Sequence, residues 1–88
     1  MADNLEALRR TLVHAAASFD RANEERSKRS KRGHYNPYAL AQYLVRIDEA
    51  LDQIANGATL RAALLDCFND RLCDHLLKAV GEPSATER

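Results

Sequence analysis

Apolar side chains recur along the first quarter of the chain with the spacing of an α-helix. They are Leu5, Leu8, Leu12, Ala15, Phe19 and Ala22, in steps of three and four residues. Three repeats of this alternation are typical of a helix that packs lengthwise on a partner helix, and we favour a partner in the same chain over one in a second subunit. Asp3 and Glu6 have the spacing of a capping box. The pattern predicts a first helix over residues 3–31, whose apolar seam ends at Arg26.

A second amphipathic pattern begins after a turn signal. Gly33 suits the positive φ of the position that follows a helix C-terminus, and Asn36 before Pro37 is a strong start signal for the next helix. The apolar positions that follow are Leu40, Leu44, Ile47, Leu51 and Ile54. Their steps of four and three residues predict a second helix over residues 37–55.

The third pattern is the most apolar of the three. Gly57 and Thr59 supply a helix end and an N-cap, which makes the second and third helices an αα-hairpin. One broad face carries Leu60, Ala63, Leu64, Cys67, Phe68, Leu72, Leu76 and Ala79. Gly81 and Pro83 end this pattern, so it predicts a third helix over residues 60–80. A stripe this wide indicates contact with both other helices, or with one of them and a second subunit.

Together these patterns predict an all-α fold. The architecture is a small three-helix bundle, in which a long N-terminal helix packs on a C-terminal αα-hairpin. We expect one helical domain over residues 1–82 and a flexible tail over residues 83–88. A chain of 88 residues buries only roughly 60 to 65% of its unfolded surface, which favours association with further chains. We therefore predict a homodimer.

The charge distribution singles out the segment that joins the first two helices. The net charge is zero, yet residues 1–34 hold eight Lys and Arg against five Asp and Glu, and residues 35–88 hold five against eight. The candidate partner-binding or phosphate-binding residues are Arg26, Lys28, Arg29, Lys31, Arg32, His34 and Tyr35. Lys and Arg neutralise phosphates, and an exposed tyrosine stacks on bases. The local charge therefore allows a nucleic-acid contact that the overall charge does not indicate.

The basic segment has an equally weighted alternative interpretation. Cations in the last turn of a helix complement its carbonyl end, and short basic runs at the surface are usually solvated.

The three tyrosines are expected to lie in different environments. We expect Tyr43 in the core, Tyr38 packed near the start of the second helix, and Tyr35 exposed.

The residues that could support catalysis or metal binding do not have the spacing of known catalytic or metal-binding motifs. Cys67, Cys73 and His75 match no zinc pattern, and Cys73 and His75 lie about 200° apart on a helix, so they form no catalytic dyad. His14 and His75 are interpreted as ordinary polar residues, and both cysteines as reduced, buried thiols. Gly-rich phosphate loops and nucleophile elbows are absent from the sequence. We expect no enzyme activity, no cofactor, no metal site and no small-molecule substrate.

A helix-turn-helix DNA reader is disfavoured, although the second and third helices with their Gly-containing turn have its outline. The third helix carries Asp66, Asp70 and Asp74 where a recognition helix faces phosphates, and carboxylates repel phosphates.

Met1 is followed by an acidic amphipathic run, which predicts no signal peptide. No apolar run reaches the length of a membrane span. We expect a cytoplasmic protein without membrane contact.

Two functional hypotheses follow from these features. The first is a non-catalytic small helical protein-interaction module, such as a regulator, inhibitor or assembly subunit, with a basic hinge between helices. The alternative is a nucleic-acid-binding accessory protein that uses the segment from Arg26 to Tyr35. The first is favoured because the acidic second and third helices limit any nucleic-acid footprint to one patch.

Overall fold

A computed structural model describes residues 2–30 and 35–81 of the chain, with side chains from residue 5 onward. Within these ranges the chain is all-helical, which confirms the predicted fold class. Its helices are α1 (Ala2–Arg29), α2 (Ala39–Ala55), α3 (Leu60–Cys67) and α4 (Asp70–Val80). The prediction of a three-helix bundle is wrong, because the predicted third helix is two helices. The predicted tail at 83–88 lies outside the described residues.

The break between α3 and α4 lies at Phe68 and Asn69. Phe68 is extended, with φ −133° and ψ 157°, and Asn69 is the N-cap of α4. The Asn69 Oδ1 accepts a hydrogen bond of 2.9 Å from the backbone N–H of Leu72. An asparagine side chain makes this bond from the N-cap position, where its own backbone is not helical, and such a cap contributes about 1 kcal/mol. The break also turns the Phe68 ring into the core, where it is buried.

The break explains the width of the third apolar pattern. The α3 helix packs on α2, and the α4 helix packs on α1. The two halves of the stripe therefore face different helices, which agrees with the first of the two predicted alternatives, contact with both preceding helices. Because both halves have partners within the chain, the width of the stripe no longer indicates a second subunit.

The α2 helix runs back along α1. The Phe19 and Tyr43 rings meet edge to face with centroids 6.3 Å apart, and the Arg9 Nε donates to Asp48 Oδ1 at 2.9 Å. That ion pair is exposed, so it contributes at most about 1 kcal/mol.

The buried core draws on all four helices and consists of Leu12, Ala15, Ala16, Ile47, Ala50, Ala63, Leu64, Phe68, Leu72, Cys73, Leu76 and Leu77.

The buried stripe of α1 leaves the predicted seam near its C-terminal end. Ala22 is exposed, whereas Asp20 is buried and Asn23 is half-buried. A straight α-helix drifts by about 20° per heptad from a strict seven-residue repeat. The face turned toward α2 has therefore moved from position 22 to positions 20 and 23. This drift places two polar side chains where the pattern predicted an apolar one.

The segment between α1 and α2 differs in detail from the prediction. The α1 helix ends at Arg29, and α2 begins at Ala39, two residues after the predicted start. Asn36 forms a turn instead of capping α2: its Oδ1 accepts from the N–H of Tyr38 at 2.9 Å, and its carbonyl accepts from the N–H of Ala39 at 3.1 Å. Gly33, the predicted end of the first helix, lies outside the described residues.

The ends of α2 and α4 and the start of α3 agree with their predicted signals, whereas Asp3, the predicted cap of the first helix, lies within α1. Gly57 and Gly81 follow α2 and α4 with φ of 108° and 94°, the left-handed region that glycine adopts without steric cost. The Thr59 side chain accepts a hydrogen bond from the N–H of Ala62 at 3.1 Å and caps α3. None of the described helices has the length and apolar character needed to cross a membrane.

Candidate binding pocket at the joint of α1 and α2

A pocket of about 430 Å³ lies between the C-terminal half of α1 and the start of α2. Its volume falls within the range of small-molecule and side-chain binding pockets, about 300 to 1,000 Å³. The residues that line it are Asp20, Asn23, Arg26, Ser27, Ser30, Tyr35, Asn36, Ala39 and Tyr43. We call this cavity the joint pocket. Most of its lining side chains carry hydrogen-bonding groups.

Asp20 is the most deeply buried polar side chain in this lining, with 7% of its surface exposed. Its Oδ2 accepts a hydrogen bond of 2.6 Å from the Tyr35 hydroxyl. Its Oδ1 has less than 1 Å² of exposed surface and no hydrogen-bond partner among the described residues. A buried acceptor without a donor costs about 1 to 3 kcal/mol, and more when it is charged. The carboxylate is thus half satisfied within the part of the chain that the structure describes.

The carboxylate changes the acidity of the two tyrosines in the pocket. The hydrogen bond to Asp20, together with burial and the charges of Asp20 and Glu24, raises the pKa of Tyr35 to about 12. Burial raises the pKa of Tyr43, and the charge of Asp20 adds to this effect. A hydrogen bond from the Asn23 side chain opposes the shift at Tyr43. Both hydroxyls therefore stay protonated at neutral pH and remain hydrogen-bond donors.

Replacing Tyr35 by phenylalanine is expected to weaken the dependence of stability on alkaline pH. The folded-state pKa of Tyr35 is raised from 10.0 to about 12, so its contribution is fully present below pH 10 and is lost as the pH rises toward 12. The free energy of unfolding, measured by urea denaturation across this interval, should fall less in Tyr35→Phe than in the wild type. Tyr38→Phe, at an exposed position in the adjoining turn, is the matched control. Equal slopes for Tyr35→Phe and the wild type would contradict the hydrogen bond to Asp20.

The structure brings together only some of the predicted site residues. Arg26 and Tyr35 line the joint pocket. Lys28 lies about 200° around the helix from Arg26 and pairs with Glu24, with its Nζ 3.8 Å from Oε2. Arg29 is exposed and stands outside the pocket lining. The remaining predicted residues, Lys31, Arg32 and His34, lie outside the described residues.

Two of the three tyrosine predictions are reversed. Tyr38, predicted to pack near the start of α2, is 73% exposed. Tyr35, predicted to be exposed, is half-buried because its hydroxyl binds Asp20. Tyr43 packs on the core as predicted, with its ring edge to face against Phe19 and Phe68.

The cysteines and His75 form no site in the described ranges. Both cysteines are free thiols, and burial raises the pKa of Cys67 and of Cys73 above the usual value. The His75 ring packs on Phe19, with centroids 5.4 Å apart. Among the described residues, no group of three or more His, Cys, Asp or Glu side chains is placed to hold a metal ion.

The sequence reasoning missed Asp20 and Asn23, although a signal for Asp20 was present. Asp20 follows Leu12 and Ala16 at intervals of four residues, which keeps the three on one face of a helix. Leu12 and Ala16 are both fully buried. A polar residue that continues such a row is expected to be buried as well.

The outer face of α2 is a second surface without a covering element in the described part of the chain. We use this name for the exposed side chains that share one side of the helix: Tyr38, Ala41, Gln42, Val45 and Glu49. Val45 is 59% exposed. Gln42, Val45 and Glu49 also line, with Arg46, a surface cavity of about 470 Å³.

Comparisons with known proteins do not add a relative to this picture. No family model, no curated protein and no solved structure matches the chain. The functional conclusion therefore rests on the joint pocket and on the outer face of α2.

Proposed function

We propose that this chain is a non-catalytic protein-interaction module that associates through the outer face of α2. The observation that carries the proposal is the exposure of Tyr38, at the N-cap of α2, and of Val45, seven residues later in the helix. Two turns of a helix bring such positions into line. Interface centres are enriched in tyrosine, and helix-to-helix recognition uses anchors at this spacing.

The partner to which we commit is a second copy of this chain. The net charge is zero, so two copies do not repel each other as like-charged bodies would. Arg46 and Glu49 flank Val45 and form an ion pair with a 2.9 Å contact. A two-fold interface is self-complementary, and a surface that carries both charge signs beside an apolar anchor satisfies this condition. We further propose that the module acts in the cytoplasm, where its free thiols stay reduced.

Replacing Val45 by aspartate is expected to abolish the dimer. A charge at the centre of an apolar contact loses its hydration without gaining a partner, and Val45 is exposed in the single chain, so the fold is preserved. Sedimentation velocity over increasing protein concentrations should show a dimer for the wild type and a monomer for Val45→Asp. Leu65→Asp is the matched control, because Leu65 is an exposed apolar residue on α3, 43% exposed, and it should dimerise like the wild type.

Two results would overturn this assignment. A wild-type chain that stays monomeric at every concentration excludes the second copy as the partner. Equal disruption by Val45→Asp and Leu65→Asp excludes the outer face of α2 as the interface.

The nucleic-acid alternative is favoured by one observation, the exposure of Arg26 and Arg29 at the end of α1. It is weakened by the pairing of Lys28 with Glu24 and by the acidic side chains that α2, α3 and α4 expose. Fluorescence anisotropy of a labelled duplex and a labelled single strand at low salt distinguishes the two functions. Binding that falls steeply with added salt, and that is lost on replacing Arg26 and Arg29 by glutamate, supports the nucleic-acid function. Absence of binding at low salt rejects it.

A further inference from the structure

We propose that a groove between α1 and α4 binds a small organic phosphate monoester, with the phosphate at its cationic side chains and the organic part against its apolar ones. The groove has a volume of about 590 Å³, within the range of small-molecule sites, about 300 to 1,000 Å³. We call it the α1–α4 groove. It shares no lining residue with the joint pocket or with the outer face of α2, so this inference goes beyond the association of two chains.

The described side chains that line the groove bring cations and hydrogen-bond donors together. Arg10 and His14 are exposed one turn apart on α1, and the exposed Ser18 follows one turn later. An arginine donates five N–H groups, and a histidine donates at least one in either protonation state. Glu6 and Asp74, the acidic residues near these positions in sequence, stand outside the lining. An anion in the groove therefore meets several donors and no carboxylate among the described lining residues.

His75 makes the site a property of two helices instead of α1 alone. It lines the groove from α4 and is half-buried. Its ring packs on Phe19, with centroids 5.4 Å apart, and this contact restricts the orientation of the ring. A donor that is already restrained loses less conformational freedom on binding than a fully exposed side chain does.

The number of donors favours a phosphate over a carboxylate. A phosphate monoester carries three acceptor oxygens and about 1.5 to 2 negative charges at neutral pH, whereas a carboxylate has two oxygens and one charge. Arg10, His14 and His75 supply three nitrogen-bearing side chains, and Ser18 adds a hydroxyl. The Thr11 hydroxyl adds no donor, because it already donates to the Ala7 carbonyl at 3.2 Å.

The apolar part of the lining favours an organic phosphate over the inorganic ion. Ala15 and Ala79 contribute methyl groups to the groove. Small-molecule sites combine apolar surface with a few polar groups that fix the orientation of the ligand. Inorganic phosphate leaves the methyl groups in contact with water, whereas an organic group beside the phosphate covers them and gains free energy by doing so.

The probes that test this proposal are phenyl phosphate, inorganic phosphate and benzoate, titrated near neutral pH into the full chain and followed by NMR. Phenyl phosphate should bind more tightly than inorganic phosphate, because its ring covers apolar surface. It should bind more tightly than benzoate, because it carries more charge and one more acceptor oxygen. The resonances of Ser18, His75 and Ala79 should shift, and those of the joint pocket should not.

Two variants test the donors. Arg10→Gln should weaken the binding of phenyl phosphate by about threefold or more. Arg9→Gln is the matched control, because it removes the same charge one residue earlier, from the side chain that pairs with Asp48 on α2, and it should bind the probe like the wild type. His75→Phe keeps an aromatic ring against Phe19 and removes both ring nitrogens, so it should weaken phenyl phosphate by a similar factor.

Two further variants test the apolar part of the site and its independence from dimerisation. Ala79→Leu narrows the groove at an exposed position, so it should weaken phenyl phosphate and leave inorganic phosphate unchanged. Val45→Asp, which lies outside the groove, should bind phenyl phosphate like the wild type whether or not it dimerises. Failure of the α2 interface therefore leaves this proposal standing, and the reverse also holds.

Urea denaturation of each variant shows first that it is folded, and the midpoints should stay near that of the wild type because no substituted side chain is fully buried. The proposal is overturned if phenyl phosphate shifts no resonance of the groove. Equal weakening by Arg10→Gln and Arg9→Gln also overturns it, because attraction by the overall charge then explains the binding, as does unchanged binding by a folded His75→Phe. Benzoate that binds as tightly as phenyl phosphate rejects the phosphate, and inorganic phosphate that does so rejects the organic part.

Discussion

Replacing Leu76 by alanine is expected to lower the free energy of unfolding by about 2 to 5 kcal/mol. Leu76 is fully buried in α4, the helix that packs on α1. Truncation removes its transfer free energy and leaves a cavity that the neighbouring side chains close only in part. A domain of 88 residues has a total stability of about 4 to 13 kcal/mol. The loss is a substantial part of this total, so the urea midpoint of the variant should fall well below that of the wild type.

The matched control for this experiment is Leu65→Ala. Leu65 has the same side chain and lies in α3, but it is 43% exposed, so truncation is expected to cost less than about 1 kcal/mol. Urea denaturation followed by circular dichroism measures both changes in the free energy of unfolding. Each change is obtained from the shift in the urea midpoint, with one urea dependence of the free energy used for all variants. Similar losses for the two variants would contradict the orientation of α3 and α4 described above.

The helix ends marked by Gly57, Thr59 and Gly81 were predictable because their signals are local. The Thr59 side chain reaches the N–H of Ala62 three residues away, and Gly57 and Gly81 adopt positive φ without help from distant residues. A pattern over a few residues is enough to specify such interactions. The first two helices and most of the core were predictable from the periodic spacing of the apolar residues.

The break at Phe68 and Asn69 was not predictable from the apolar pattern alone. A continuous helix and a broken one both bury Leu64, Leu72 and Leu76, so the pattern is compatible with either. The deciding contacts include the edge-to-face packing of Phe68 on Tyr43, with centroids 6.5 Å apart. That contact joins residues far apart in sequence, and tertiary packing of this kind overrides local helix propensity.

The candidate site was predicted in part, because charge density identified the segment but not the chemistry. Arg26 and Tyr35 were chosen as cation and aromatic side chain, and both line the joint pocket. Each residue turns a helix by about 100°, so a dense row of cations in sequence is spread around the helix in space. The central carboxylate, Asp20, was overlooked because it lies outside the predicted apolar seam of the first helix, and its partner Tyr35 comes from the other side of the joint.

Small side chains set how closely the helices approach, and the clearest test of this is Ala63→Leu. Ala63 is fully buried in α3, the helix that packs on α2, and Ala50 of α2 is fully buried as well. Three further carbon atoms at this position require off-rotamer side chains or a shift of α3. Such overpacking costs about 1 to 3 kcal/mol, and sometimes more.

Ala62→Leu is the control for this substitution, since it makes the same chemical change one residue earlier. Ala62 is exposed, and alanine and leucine differ little in helix propensity, so its free energy of unfolding should stay within about 0.5 kcal/mol of the wild type. Thermal and urea denaturation of the two variants give the comparison. A helix turns by 100° between neighbouring residues, so opposite outcomes at positions 62 and 63 determine which side of α3 faces α2. Destabilisation at position 62 alone would require α3 to be rotated by about one residue and would remove the basis for treating Leu65 as an exposed control.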